Sequence, residues 1–129
     1  MIESNLAQQA DYDWIQRMNA AGYETHLYFL CTSLVDINIQ RVQKRVREGG
    51  HNIPEAIVSQ RYNNALTYLK GKLHTFDEAI LIDNSDEVPQ NVAVLAAGII
   101  ISKTEPCPEW AQGLLYISER LSQSNKNRK

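Results

Sequence analysis

The chain has 129 residues, with 13 lysines and arginines against 15 aspartates and glutamates and a formal net charge of −2. That balance excludes a general nucleic-acid binder, which carries a strong basic excess. Hydrophobic residues at 43% and charged residues at 22% are close to globular averages, so the chain is expected to form one domain or part of one around a single core. Its two cysteines, Cys31 and Cys107, do not make a disulfide framework. No signal peptide, membrane-spanning run or lipidation motif is read, which points to the reducing cytoplasm and to no membrane partner.

Residues 1–10 have no clear period. Residues 11–21 read as a short helix with Trp14, Met18 and Ala21 on one side and Gly22 closing it. Tyr12 and Trp14 are read as core packing rather than base stacking. Next comes Leu27-Tyr28-Phe29-Leu30-Cys31, a continuous apolar run that suits a fully buried strand of a parallel sheet with helices on its faces. Cys31 is then a buried thiol, and ligands are expected beyond the strand's carboxyl end. His26, ahead of the run, reads as an ordinary surface or satisfied histidine.

The helix after that strand carries Val35, Ile39, Val42 and Val46 as its apolar stripe. Ser33 followed by Asp36 resembles a capping box at its start. Arg41 and Arg45, four apart, share a face. Gly49-Gly50 stops the helix, His51 lies in the turn, and Asn52-Ile53-Pro54 restarts the chain with proline at the first helical position. Val58, Tyr62, Leu66, Leu69 and Leu73 make the second stripe, and the second helix is expected to end over 70–74. Arg41, Lys44, Arg45, Arg47, His51 and Arg61 face only Glu48 and Glu55 within this hairpin. Two readings stand: a solvated pair of helix faces, or a cationic surface that closes over an anion, for which arginine forks are suited.

Residues 79–82, Ala-Ile-Leu-Ile, read as a second buried strand, and Asp83-Asn84-Ser85-Asp86 as a turn rather than a metal cluster. The uncharged run 92–102 is too short to span a bilayer. Gly98 within it marks either a bulge or a tight hairpin between 92–96 and 99–102. Glu105-Pro106-Cys107-Pro108 reads as a rigid linker into a last helix with Trp110, Leu114, Ile117 and Leu121 in one stripe. Residues 122–129 are polar and basic and read as a disordered tail. No repeat, zinc-type Cys/His spacing or nucleophile motif is found, and no metal site is assigned.

The segment RVQKRVREGGHNIPEAIVSQRY, the preceding GYETHLYFLCTSLVDINI and the later LIDNS together resemble the C-terminal part of the zeta-toxin-like P-loop kinases. The likeness covers most of residues 2–85 and thins beyond Ser85. It implies an α/β fold: a partial P-loop kinase-like domain over 1–121, a parallel-sheet remnant with flanking helices and a helical arginine lid over about 34–73. It further implies phosphoryl transfer from ATP with Mg2+ to a small acceptor such as a UDP-amino sugar. Arg45 and Arg61 fall where the family places arginines on the ATP phosphates, and Arg41 is assigned to the nucleotide with them. Glu3 and Asn5, in Glu3-Ser4-Asn5-Leu6, fall where the family contributes to the substrate site, with Ser4 in place of a threonine. His51 matches the motif without an assigned role.

No G-x-x-x-x-G-K-[ST] occurs in the chain. That loop supplies the phosphate cradle, the phosphate lysine and the magnesium hydroxyl, and in the family it precedes the Glu3 segment. Three functions are therefore expected in competition. The chain is the lid half of such a kinase, inactive alone and completed by an upstream P-loop half. Or it is a non-catalytic module that binds a nucleotide or an antitoxin-like partner through the 41–61 hairpin. Or it is an interaction protein whose sheet pairs with another chain.

Overall fold

Alternating apolar residues in four segments build one sheet, and the computed structural model describes residues 4–127 of the chain. The elements are α1 (Gln9–Ala20), β1 (His26–Cys31), α2 (Val35–Arg47), α3 (Glu55–Leu69), a 3-10 turn (Leu73–Thr75), β2 (Glu78–Asp83), β3 (Gln90–Ala96), β4 (Ile99–Lys103) and α4 (Glu109–Asn127). The strands lie in the order β1-β2-β3-β4. β1 and β2 are parallel, whereas β2–β3 and β3–β4 are antiparallel. The protein is thus mixed α/β, and only one strand pair carries the expected parallel arrangement.

One face of this sheet holds the core. Leu27, Phe29 and Cys31 of β1, Ala79 and Leu81 of β2, and Ala93 and Leu95 of β3 pack with Tyr12 and Ile15 of α1, Ala65 and Leu69 of α3, and Trp110, Ala111, Leu114 and Leu115 of α4. Phe29 and Trp110 meet edge to face at 6.0 Å between ring centres, an arrangement favoured by the ring quadrupoles. Beneath α1, Lys72 sits over both the Tyr12 and Tyr68 rings, at 4.6 and 4.8 Å, and donates to Gln9.

The apolar run of β1 is not buried on both faces. It alternates, with Tyr28 62% and Leu30 52% exposed. A strand buried on both sides needs a helix layer on each, and here α1, α3 and α4 all pack on the same side. In α1 the buried pair is Tyr12 and Ile15, while Trp14 is 40% exposed. Position 14 is one residue, about 100°, away from Ile15 around the helix, which turns it from the core stripe.

Several helix ends also differ from the sequence reading. α2 begins at Val35 with Leu34 as its N-cap and no side-chain cap, because Ser33 is engaged with Ser85 instead. Pro54 is the N-cap of α3 rather than its first residue, and α3 ends at Leu69, with Leu73 buried in the separate 3-10 turn. In α4, Leu115 and Ala111 are buried and Ile117 is 42% exposed. α4 continues to Asn127, where a tail was expected from 122.

The 92–102 run is a hairpin. Ala97 and Gly98 both take positive φ, 50° and 83°, as a tight turn between right-twisted strands requires. A side chain on Gly98 would come within 2.9 Å of the His74 Cβ, so backbone conformation and close packing both demand glycine there. Among the described residues no helix is long and apolar enough to cross a membrane.

Candidate functional site

The carboxyl ends of β1 and β2, which are parallel and adjacent, open onto one polar cluster. The Asn84 N–H donates to the Cys31 carbonyl at 2.8 Å, holding the two strand exits together. The Ser33 N–H donates to Ser85 Oγ at 2.8 Å, and Ser85 Oγ donates to Ser33 Oγ at 3.1 Å. Arg41 Nη2 reaches the Ser85 carbonyl at 3.3 Å, tying α2 to the same loop. The Tyr62 hydroxyl of α3 donates to the Thr32 carbonyl at 2.7 Å.

Asp83 ends β2 as an Asx-type turn, its Oδ1 accepting the Ser85 N–H at 2.9 Å. Its Oδ2 accepts the Trp110 indole N–H at 2.9 Å. Burial opposes the charged form of Asp83, but the bonds from Trp110 and Ser85 outweigh it and hold the carboxyl below its usual value of 3.8. The turn reading of 83–86 therefore stands. Among the described residues no group of three His, Cys, Asp or Glu is disposed to hold a metal ion. Burial pushes the Cys31 thiol up to about 11, against the pull of the Tyr62 hydroxyl beside it, so it is a neutral thiol and no nucleophile at neutral pH.

The turn between α2 and α3 is built by glycine. The Gly49 N–H donates to the Val46 carbonyl and the Gly50 N–H to the Arg45 carbonyl, at 3.0 and 2.7 Å, the paired bonds of a Schellman motif. Gly49 takes φ +96°, and a Cβ on Gly50 would lie 2.9 Å from the Arg45 carbonyl oxygen. Gln43 Nε2 donates to Glu55 Oε1 at 2.8 Å across the turn. Lys44, Arg45, Arg47, His51 and Arg61 are exposed, and Arg41 is half-buried. Among the described residues none of these cations pairs with a carboxylate; the ion pairs involve His26 and Lys103 only.

A cavity of about 250 Å³ lies between the segment before α1 and the side of α3, lined by Ser4, Asn5, Ala7, Gln8, Asp11 and Arg61. Its wall is well held. Leu6 is buried at φ 51°, its N–H bonded to Ser4 Oγ and its carbonyl to the Tyr12 hydroxyl.

Of the residues singled out from sequence, Asn5 and Arg61 are thus brought together, 56 positions apart in the chain. Arg41 is directed to the Ser85 loop. Arg45 projects from α2 into solvent. Glu3 lies outside the described residues. Sequence reasoning did not find Asp11, Tyr62–Thr32 or Asp83–Trp110. The D-N-S turn pattern signals the Asp83–Ser85 bond, but nothing local signals a partner 27 residues away.

No family model matches the chain, and no solved structure matches it. A 51-residue stretch is 45% identical to an uncharacterized protein of Haemophilus influenzae, covering 37% of this chain and 36% of that relative. The chain thus spans little more than a third of the length of the curated relative it matches.

Proposed function

We propose that this protein binds the phosphates of a nucleotide as the lid part of a zeta-toxin-like kinase. One observation carries the reading: Arg61 and Asn5 line a single cavity of about 250 Å³, while the hairpin cations have no carboxylate partner among the described residues. Arg61 lines that cavity and Arg45 is exposed on the neighbouring helix α2; guanidinium groups without a carboxylate partner suit phosphate oxygens, each charge-assisted bond contributing about 1.5–3 kcal/mol. Asn5, with Glu3, is assigned to the acceptor, a small molecule such as a UDP-amino sugar.

The residues present fit the triphosphate of ATP better than its metal. No G-x-x-x-x-G-K-[ST] occurs in residues 1–129, and the described residues include no group of three His, Cys, Asp or Glu placed to hold a metal ion. In this reading an upstream P-loop half would hold the phosphate cradle and the magnesium. What the chain contributes is charge. Arg45 and Arg61 neutralise the transferring phosphoryl group, the role in which a finger-type arginine supplies about three to five orders of magnitude in rate. Arg41, midway along α2, ties that helix to the Ser85 loop at the carboxyl ends of β1 and β2, and in this reading it sets where the lid closes.

Calorimetric titration with ATP tests the reading. Weak, salt-sensitive binding is expected, and Arg45→Ala with Arg61→Ala should weaken it at least about a hundredfold, roughly tenfold per lost bond. Absence of heat at millimolar ATP, or equal heat from the double variant, overturns it. Heat that persists without the arginines would favour a module that recognises a protein or nucleotide through another surface.

A further inference from the structure

The cavity beside Arg61 is lined by two opposite charges that do not meet. Asp11, in the first turn of α1, and Arg61 of α3 both line it, together with Ser4 and Asn5. Among the described residues, neither the Asp11 carboxylate nor the Arg61 guanidinium makes a hydrogen bond or an ion pair. A carboxylate only accepts and a guanidinium only donates. The two therefore offer a ligand complementary ends, one for a donor cation and one for an acceptor-rich anion.

The walls are fixed before any ligand arrives. Leu6, next to Asn5, is buried at φ 51°, a conformation that strains a residue other than glycine and recurs at ligand clamps. Ser4 Oγ and the Tyr12 hydroxyl hold it from either side. The Tyr12 ring stacks on Tyr68 of α3 at 6.2 Å between ring centres, with Lys72 over both. Asp11 adjoins Tyr12 in the chain, and Arg61 precedes Tyr68 by about two helical turns. This ring contact thus fixes the helix that carries one charge against the helix that carries the other. Size limits the occupant. A cavity of about 250 Å³ is small among ligand pockets, which run from about 300 to 1,000 Å³. It admits a compact molecule, not a whole nucleotide.

We infer that the cavity binds a small phosphate ester that also carries an ammonium group, with the phosphate on Arg61 and the ammonium on Asp11. A phosphate alone is repelled by Asp11, and an amine alone is repelled by Arg61. A ligand with both charges is attracted at both ends, and each contact is a charge-assisted hydrogen bond. The inference rests on the reading above for Arg61 as a phosphate ligand. It deepens that reading by giving the acceptor side of the site a chemical class, a compound with a free amine.

Two-dimensional NMR titration of the full chain tests the inference, read at the side-chain signals of Asn5 and Arg61. Phosphoethanolamine supplies both charges, inorganic phosphate the anion alone and ethanolamine the cation alone. Phosphoethanolamine should bind at least about tenfold more tightly than either fragment, the effect of one further charge-assisted bond. Asp11→Asn, which keeps the shape of the side chain, should reduce phosphoethanolamine to the affinity of phosphate. Arg61→Gln should reduce it to the affinity of ethanolamine. Equal affinities for phosphoethanolamine and phosphate overturn the inference, as does a preference that survives Asp11→Asn. Absence of any shift at the two side chains overturns it as well. Should one variant lose its native spectrum, the other decides by the same criterion. The ATP titration above separates the two claims. Arginine-dependent ATP binding without a preference for phosphoethanolamine overturns this inference and leaves nucleotide binding standing, and the preference without ATP binding does the reverse.

Discussion

Helices α2 and α4 are both amphipathic in sequence, yet they end in opposite circumstances. α4 sets Trp110, Ala111, Leu114 and Leu115 into the core, two of them wholly buried. α2 carries the regular stripe Val35, Ile39, Val42 and Val46 and buries no residue. The difference lies in what each helix meets. α4 lies on the sheet, which offers a broad apolar surface. α2 meets α3 at a hairpin turn, which offers one narrow line. An amphipathic period therefore reports that a helix has a face, and the surface opposite decides how much that face stabilises. Elements with few buried contacts open at lower free energy than the core, so α2 is expected to open before α4.

The largest expected effect tests that contrast directly. Leu115→Ala should cost about 2–5 kcal/mol in urea unfolding, as a wholly buried leucine does. Val42→Ala should cost well under about 1 kcal/mol, because little apolar area is lost there. Equal costs would erase the distinction between the helices.

Next is the anchor of α4 to the strand ends. Trp110→Phe keeps the packing on Phe29 and removes the indole N–H from Asp83, at about 1 kcal/mol for a bond to a partly exposed carboxylate. The pH dependence gives the sign. The folded state holds Asp83 below 3.8, so its contribution is complete above that unfolded value and is lost as pH falls through the lower folded one. In the variant the folded value rises toward 3.8, and stability at acid pH becomes less pH-dependent. An unchanged acid limb would show that the bond does not hold α4.

The smallest effect separates local from global stability. Gly49→Ala forces alanine to φ +96°, a strain of about 1 kcal/mol. Hydrogen exchange should quicken across α2 while α4 and the global midpoint stay nearly unchanged. A matching drop in global stability would mean that α2 and the core unfold as one unit.

Much of this arrangement is legible in the chain. Ala-Ile-Leu-Ile marks β2, the Gly98 run leaves a hairpin as one of two readings, and Gly49-Gly50 with Pro54 marks the break between α2 and α3, because turns and glycine stops are local in origin. What is not legible is coverage. Leu27-Tyr28-Phe29-Leu30-Cys31 is equally apolar at every position, and only the placing of three distant helices on one side separates the buried Phe29 from the exposed Tyr28. Trp14 and Tyr12 differ for the same reason. In the candidate site, the meeting of Asn5 with Arg61 follows from how α1 lies against α3, and the Trp110–Asp83 bond from how α4 crosses the strand ends. Neither leaves a trace in spacing.

The two thiols sit on either side of the same divide. Cys31 is enclosed at the exit of β1 beside Tyr62 of α3, and Cys107 at the foot of α4. Burial raises both above the ordinary thiol range, so a thiol reagent meets them only when the surrounding structure parts. The protein thereby carries two built-in chemical clocks. The labelling rate at Cys31 times the parting of the strand exits from α3, and that at Cys107 times the release of the last helix, without any foreign probe.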